Sequence, residues 1–240
     1  ASDRIDPATA HVRLAWLDTA TGKLTEAGRH SVGSGEGYGL CMAGPAPDRT
    51  VTVYSPAKDG SIYRTVMAED EGVWAAQSSL LHKLTTQPEG CVVDARTGTL
   101  YVGEENAGIW AFDLDAGTHK LVAPIDNRQL VADVEGLALA PMGTDGGYLF
   151  ASSQGDNAYA RYRLPDMAPM GRFRIAAGTY GATEETDGIA LALGEFGPKY
   201  PGGVFVAQDG INGAEAQNFK LVPWSAIEEA FSTWQPVNTP

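Results

Sequence analysis

At 240 residues the chain can bury a substantial core, as one domain or a compact array. Its formal net charge of -13 and pI near 4.6 exclude generic nucleic-acid binding, which selects basic faces. The 29 glycines, 14 prolines and 43% hydrophobic residues, many in short runs of Val, Leu, Tyr and Ala, describe short strands with frequent turns. That pattern is too apolar for a disordered chain, and no run of about 18 apolar residues reads as a membrane span.

Taken in order, Ala1-Ser2-Asp3-Arg4 reads as the end of a strand. His11–Trp16 is then a following strand, with a turn at Asp18-Thr19-Ala20-Thr21-Gly22. From there two landmarks alternate. The first is a glycine opening a short apolar strand: Tyr38-Gly39-Leu40-Cys41-Met42, Glu89-Gly90-Cys91-Val92-Val93, Asp133-Val134-Glu135-Gly136-Leu137 and Asp187-Gly188-Ile189-Ala190-Leu191. These glycines are spaced by 51, 46 and 52 residues. The second landmark is a strand, a polar turn and another strand. Thr50–Tyr54 leads through Lys58-Asp59-Gly60 to Ile62-Tyr63, and Leu100–Val102 through Glu104-Glu105-Asn106 to Ile109–Phe112. Tyr148–Ala151 leads through Ser153–Asp156 to Tyr159–Tyr162, and Val204–Ala207 through Gln208-Asp209-Gly210 to Phe219–Val222.

Four-stranded units at this pitch predict an all-β fold, a β-propeller spanning residues 1–240 as a single domain. A β-sandwich does not explain both landmarks recurring, and a β-helix has a much shorter period. About four and a half blades are expected: four whole units preceded by part of a fifth, so that the ring is N-terminally incomplete and closed by upstream blades or by a second domain or chain. Near the end, Ser225-Ala226-Ile227-Glu228 reads as a capping box opening a short helix through Phe231. Trp16, Trp110 and Trp224 read as core. Cys41 and Cys91 lack the spacing of a zinc or redox motif and read as buried free thiols ahead of a bridge.

In a propeller the inner strands surround a central channel. Glu89, Asp133 with Glu135, and Asp187 recur at one phase of the repeat, and Glu105 and Asp209 occupy the second-landmark loops, so together they predict an acidic ring. In a strand, residues i and i+2 share a face, which would aim Asp133 and Glu135 at one place. Oxygen ligands without paired histidines fit Ca²⁺ rather than zinc. At the same phase stand Arg4 and Lys58, aligned with Glu105, and Tyr38, aligned with Glu89. Arginine suits bidentate phosphate contacts and lysine a point-charge contact. Calcium on one side of a funnel and these groups on the other suit a highly phosphorylated ligand.

At these residues the chain resembles the β-propeller phytases. The similar segments run in order over nearly the whole length: Gln87–Gly90, Leu100–Glu105, Asp133–Leu137, Ala151–Gly155, Thr186–Ile189, Phe205–Gly210 and Gln217–Trp224. The resemblance implies a six-bladed, calcium-dependent, secreted (extracellular or periplasmic) hydrolase of phytate, myo-inositol hexakisphosphate, of the 3-phytase type. It implies calcium ligands at Glu89, Glu105, Asp133, Glu135 and Asp187, and substrate phosphates at Arg4, Tyr38 and Lys58. The chain departs from the family at Gly35-Glu36, where the family has an Asp, and at Tyr180-Gly181, where the family has an acid. The chemistry implied is attack by metal-activated water, with Glu89 and Glu135 positioning the water and Arg4 and Lys58 steadying charge. A non-catalytic propeller module that binds calcium and phytate beside a partner domain is the alternative. No nucleic-acid or membrane partner is expected.

Overall fold

The computed structural model describes residues 1–232, and among these the chain is all-β apart from one helix and one 3-10 turn. Five small sheets form a five-bladed β-propeller. The first sheet holds β1 (Ser2–Asp3), β2 (Thr9–Leu17) and β3 (Leu24–Ser34). The second runs in order through β4 (Cys41–Ala43), β5 (Val51–Pro56), β6 (Ser61–Asp70) and β7 (Val73–Lys83). The third holds β8 (Pro88–Asp94), β9 (Thr99–Glu104), β10 (Gly108–Asp113) and β11 (Thr118–Pro124). The fourth holds β12 (Val134–Met142), β13 (Gly146–Ser153), β14 (Ala158–Leu164) and β15 (Ala168–Phe173). The fifth holds β16 (Ile189–Leu193), β17 (Gly203–Asp209) and β18 (Asn218–Pro223).

Every strand is antiparallel to its neighbour, as hairpin connections require. The turns follow from sequence. Asp18 Oδ1 accepts the Ala20 N–H at 2.9 Å and Gly22 takes the left-handed conformation. At the β8–β9 turn the buried Asp94 carboxylate accepts from the Arg96 backbone and guanidinium, with Gly98 closing the turn at φ 62°.

Inner strands of successive sheets meet through the repeat glycines. A β-carbon on Gly39 would fall 1.8 Å from the Glu89 carbonyl oxygen, one on Gly90 2.6 Å from that of Glu135, and one on Gly136 2.7 Å from that of Asp187. The glycines are therefore a packing requirement, letting each inner strand lie against the backbone of the next. Gly188 differs: a β-carbon there would meet nothing within 4 Å.

Cys41 on β4 and Cys91 on β8 form a disulfide, with Cα atoms 5.5 Å apart. The expectation of free thiols is thus corrected. The two residues are 50 apart in sequence, but they open inner strands of adjacent blades, which the repeat brings side by side. The fifth sheet corrects the expectation of a fourth whole four-stranded unit: among the described residues it has three strands, and β18 passes directly into α1 (Trp224–Ser232). Trp224, Ile227 and Phe231 recur at helical spacing and are buried, against an aromatic cluster that includes Phe150 and Phe205. The helix begins at Trp224, so Ser225 lies within its first turn and does not cap it. Trp224 is core as expected. Trp16 is 51% exposed and stacks at the surface near Trp74, while Trp110 donates to the buried Glu104 at 2.7 Å.

Candidate active site

The inner ends of β4, β8, β12 and β16 surround a cavity of roughly 210 Å³, lined by Tyr38, Glu89, Glu135, Asp187 and the glycines beside them. A larger cleft of about 600 Å³ lies along β18, but it is apolar and shares no residue with this one.

Two β-bulges aim the central carboxylates. The β8–β9 register shifts between Pro88 and Cys91, leaving Glu89 and Gly90 out of the ladder. The β12–β13 register shifts between Val134 and Leu137, leaving Glu135 and Gly136 out. A bulge re-aims its side chains, and the same device at the same repeat position turns both glutamates toward each other. Each is buried, at 2% exposure for Glu89 and 4% for Glu135. Glu105, at the end of β9, completes a group in which one oxygen of each of the three carboxylates lies within 4.8 Å of the others.

The electrostatics of this group are those of a cation site. Burial pushes both the Glu89 and Glu135 carboxyls well above the glutamate range, and the charges of Glu105 and Asp187 push the same way; Glu89 also raises Glu135, whereas contacts from Gln87 and Glu135 partly offset the rise at Glu89. Burial and Asp133 raise Glu105, while Lys58 opposes them. One Glu89 oxygen accepts from Gln87 Nε2; the other is buried with no hydrogen-bond donor among the described residues. A buried carboxylate oxygen without a donor, beside two further carboxylates, fits a hard divalent cation.

The remaining predicted acids fall in different places. Asp187 is exposed at the mouth, accepts from Gln154 Nε2 at 2.8 Å, and titrates above the aspartate range through partial desolvation opposed by Arg4. Asp133 precedes β12 and stands beside Glu105, outside the three-carboxylate group. Strand alternation therefore does not pair it with Glu135, because the strand starts at Val134 and immediately bulges. Asp209 is not brought to the site. One of its oxygens accepts the Glu184 N–H at 3.1 Å and the other accepts Lys220 Nζ at 2.7 Å, so it is a buried structural anchor.

Near the carboxylates stands a cationic wall from two other sheets, with Arg4 within the field of Glu89 and Lys58 within that of Glu105. The Arg4 guanidinium lies 4.5 Å from the Tyr38 ring centre and Lys58 Nζ lies 5.0 Å from it. Asp3 fixes the strand end that carries Arg4. It is buried, accepts from Arg13 Nε and Arg29 Nε at 2.7 Å each, and is held well below the aspartate range by them. Burial, with the charges of Glu89, Asp187 and Glu135, pushes the Tyr38 phenol up to about 12, so it stays neutral and able to donate. The structure thus brings Arg4, Tyr38, Lys58, Glu89, Glu105, Glu135 and Asp187 to one end of the channel. It adds Glu36, noted in the sequence only as a departure from the family pattern, which accepts from Arg4, and the glutamines Gln87, Gln154 and Gln208 that hold the acids. The glutamines carry a weak signal, since each falls at the polar end of a strand in the repeat.

Residues 52–239 match the family described as Phytase. The chain belongs to the phytase family. It is also similar to the 3-phytase of Bacillus subtilis (strain 168), with 43% identity over 158 residues, which is 61% of this chain and 41% of that relative. The chain therefore spans about two fifths of the length of that relative. The family match covers the bulged strands that carry Glu89 and Glu135, the loops that carry Lys58 and Glu105, and Asp187. Arg4 and Tyr38 precede it.

Proposed function

We propose that this chain carries the catalytic face of a secreted, calcium-dependent 3-phytase, hydrolysing phosphate monoesters of phytate. The observation that carries the reading is the meeting of two sets of groups at one end of the channel: three carboxylates, two of them buried, and Tyr38, which shares a small cavity with Glu89 and Glu135 and carries Arg4 and Lys58 over its ring. A polyphosphorylated ring presents several phosphates at once, so a second phosphate can dock near Lys58 and Tyr38 while the first is attacked, a hold that a simple monoester lacks. The family and the name of the Bacillus subtilis relative support the substrate class. The disulfide supports an oxidising compartment.

Glu89, Glu105 and Glu135 would hold calcium, with Asp187 and Asp133 at its margin. When bound, calcium supplies charge neutralisation at phosphoryl oxygens and acidifies water. The protein's own groups do the rest. Arg4 and Lys58 hold a phosphate and oppose the negative charge that develops during transfer. Tyr38 donates from a phenol that burial keeps protonated. Gln154 and Gln208 fix Asp187 through its side chain and its backbone N–H. Glu89 and Glu135, turned inward by their bulges, orient the attacking water.

A second reading, a module that binds calcium and phytate without turnover, is favoured by the open space beside Gly188 and by the partial coverage of the relative. Phosphate release from phytate, measured with calcium and with a chelator, separates the two. Calcium-dependent release supports the enzyme. Calcium-dependent phytate binding without release supports the module, and neither activity overturns both.

A further inference from the structure

Arg4 and Lys58 reach the site from different sheets, and neither is buried enough for packing to hold it. What gathers them is Glu36. Its Oε1 accepts from Arg4 Nε at 2.8 Å and lies 3.5 Å from Lys58 Nζ. The half-buried Glu36 carboxyl is held below the glutamate range by Arg4 first and by Lys58.

The loop around Glu36 is pinned to both sheets at once. The Glu36 carbonyl accepts the Lys58 N–H at 3.0 Å, and the Tyr38 N–H donates to the Pro56 carbonyl at 3.1 Å. Gly37 pairs with Ala57, and a β-carbon there would come within 2.9 Å of Ser2 Oγ and 3.4 Å of the Asp3 carbonyl oxygen, so the loop lies close against β1. Gly35 takes a left-handed conformation, φ 92°, against Asp59. The loop is thus a bridge between the strand end bearing Arg4 and the turn bearing Lys58, and Glu36 is its one carboxylate.

We propose that Glu36 is a positioning residue that assembles Arg4 and Lys58 over the Tyr38 ring as one phosphate-binding pair before ligand arrives. The proposal rests on the phosphate-binding reading above. It has a definite electrostatic logic. Two cations side by side repel, and long exposed side chains lose rotamer freedom when held together. One carboxylate between them offsets both costs while leaving the pair with a net positive charge for a phosphate. Because Glu36 accepts from Arg4 through Nε, the outer guanidinium nitrogens stay available for the ligand.

The test uses the full chain in saturating calcium, with two probes titrated separately: inorganic phosphate and phytate. Glu36→Ala is expected to weaken binding of both by about tenfold, the size of one lost charge-assisted contact. Glu36→Gln should keep part of the affinity, since its amide oxygen still accepts from Arg4. Calcium affinity, read at the carboxylate wall, should not change in either variant. In an Arg4→Ala background the effect of Glu36→Ala should shrink to about threefold or less, because only Lys58 is left for it to position. Unchanged or tighter phosphate binding in Glu36→Ala would overturn the proposal and make Glu36 a competitor of the ligand. A full tenfold loss that persists in the Arg4→Ala background would also overturn it, by making the role one of loop integrity. If the phosphate pattern holds but the unmodified protein releases nothing from phytate, the phytase reading fails and the assignment of Glu36 stands.

Discussion

The two walls of the cavity are built on opposite principles. The carboxylate wall is made by backbone: bulges in β8 and β12 aim Glu89 and Glu135, glycine contacts fix the spacing between sheets, and burial removes water. The cationic wall is made by side chains: Arg4 is exposed, Lys58 is partly exposed, and both are held through Glu36 and the Tyr38 ring. The difference teaches where each wall is vulnerable. The first is rigid and electrostatically unsatisfied until a cation enters. The second is satisfied internally and adjustable, with contacts of the kind that solvent and salt weaken.

The largest effect should come from breaking the rigid wall at one of its two buried members. Glu135→Gln removes a ligand charge without changing shape, and calcium-dependent phosphate release should fall by about two orders of magnitude or more. Steady-state assays over a calcium series check this; activity within about threefold of the unmodified protein would remove Glu135 from the site.

Next is the covalent tie between the walls. Cys41 follows Tyr38 on one side and Cys91 follows Glu89 on the other, so the disulfide couples the two inner strands beside the cavity. Replacing both cysteines by serine should cost about 2–4 kcal/mol in denaturant unfolding, the usual cost for a closed loop of this order. A smaller contrast tests the glycine spacing. Gly136→Ala drives a β-carbon into the backbone at Asp187 and Gly188, and should cost roughly 1–3 kcal/mol. Gly188→Ala, which meets open space, should be within about 0.5 kcal/mol of neutral by the same measurement.

Much of this was legible before any coordinates, because a propeller writes its repeat into the chain. The strand placed at Thr50–Tyr54 overlaps β5 from Val51 onward, and those at Leu100–Val102 and Tyr148–Ala151 fall inside β9 and β13. Phase in the repeat also placed Glu89, Glu105 and Glu135 at the inner end of the channel. Phase alone could not tell a free carboxylate from a committed one: Asp209 shares its loop position with Glu105, but Lys220 in the adjacent strand claims it. Nor could alternation foresee the bulge that separates Asp133 from Glu135, since a bulge depends on how the partner strand pairs. The Cys41–Cys91 bridge depends on which blades adjoin, and Glu36 was marked only as a departure from the family pattern, because its contact with Arg4 and Lys58 depends on how two sheets meet. The short helix was visible, but its start was read one residue late because Trp224 is buried by tertiary contacts rather than announced by a cap.

The central claim is that Glu89, Glu105 and Glu135 form a site that a divalent cation completes, and thermal unfolding across pH tests it most directly. A carboxyl raised above its unfolded pKa of about 4.3 binds a proton more tightly in the folded state, so its contribution to stability is lost as pH rises through the folded value. For Glu89 that value is about 7. With a chelator, the melting temperature should therefore fall as pH rises from about 5 to 8, while with calcium the ionised carboxylates are neutralised and the fall should be abolished. The account predicts a gap between the two curves that widens with pH and collapses in Glu135→Gln. Curves that stay parallel, or that coincide throughout, would contradict it.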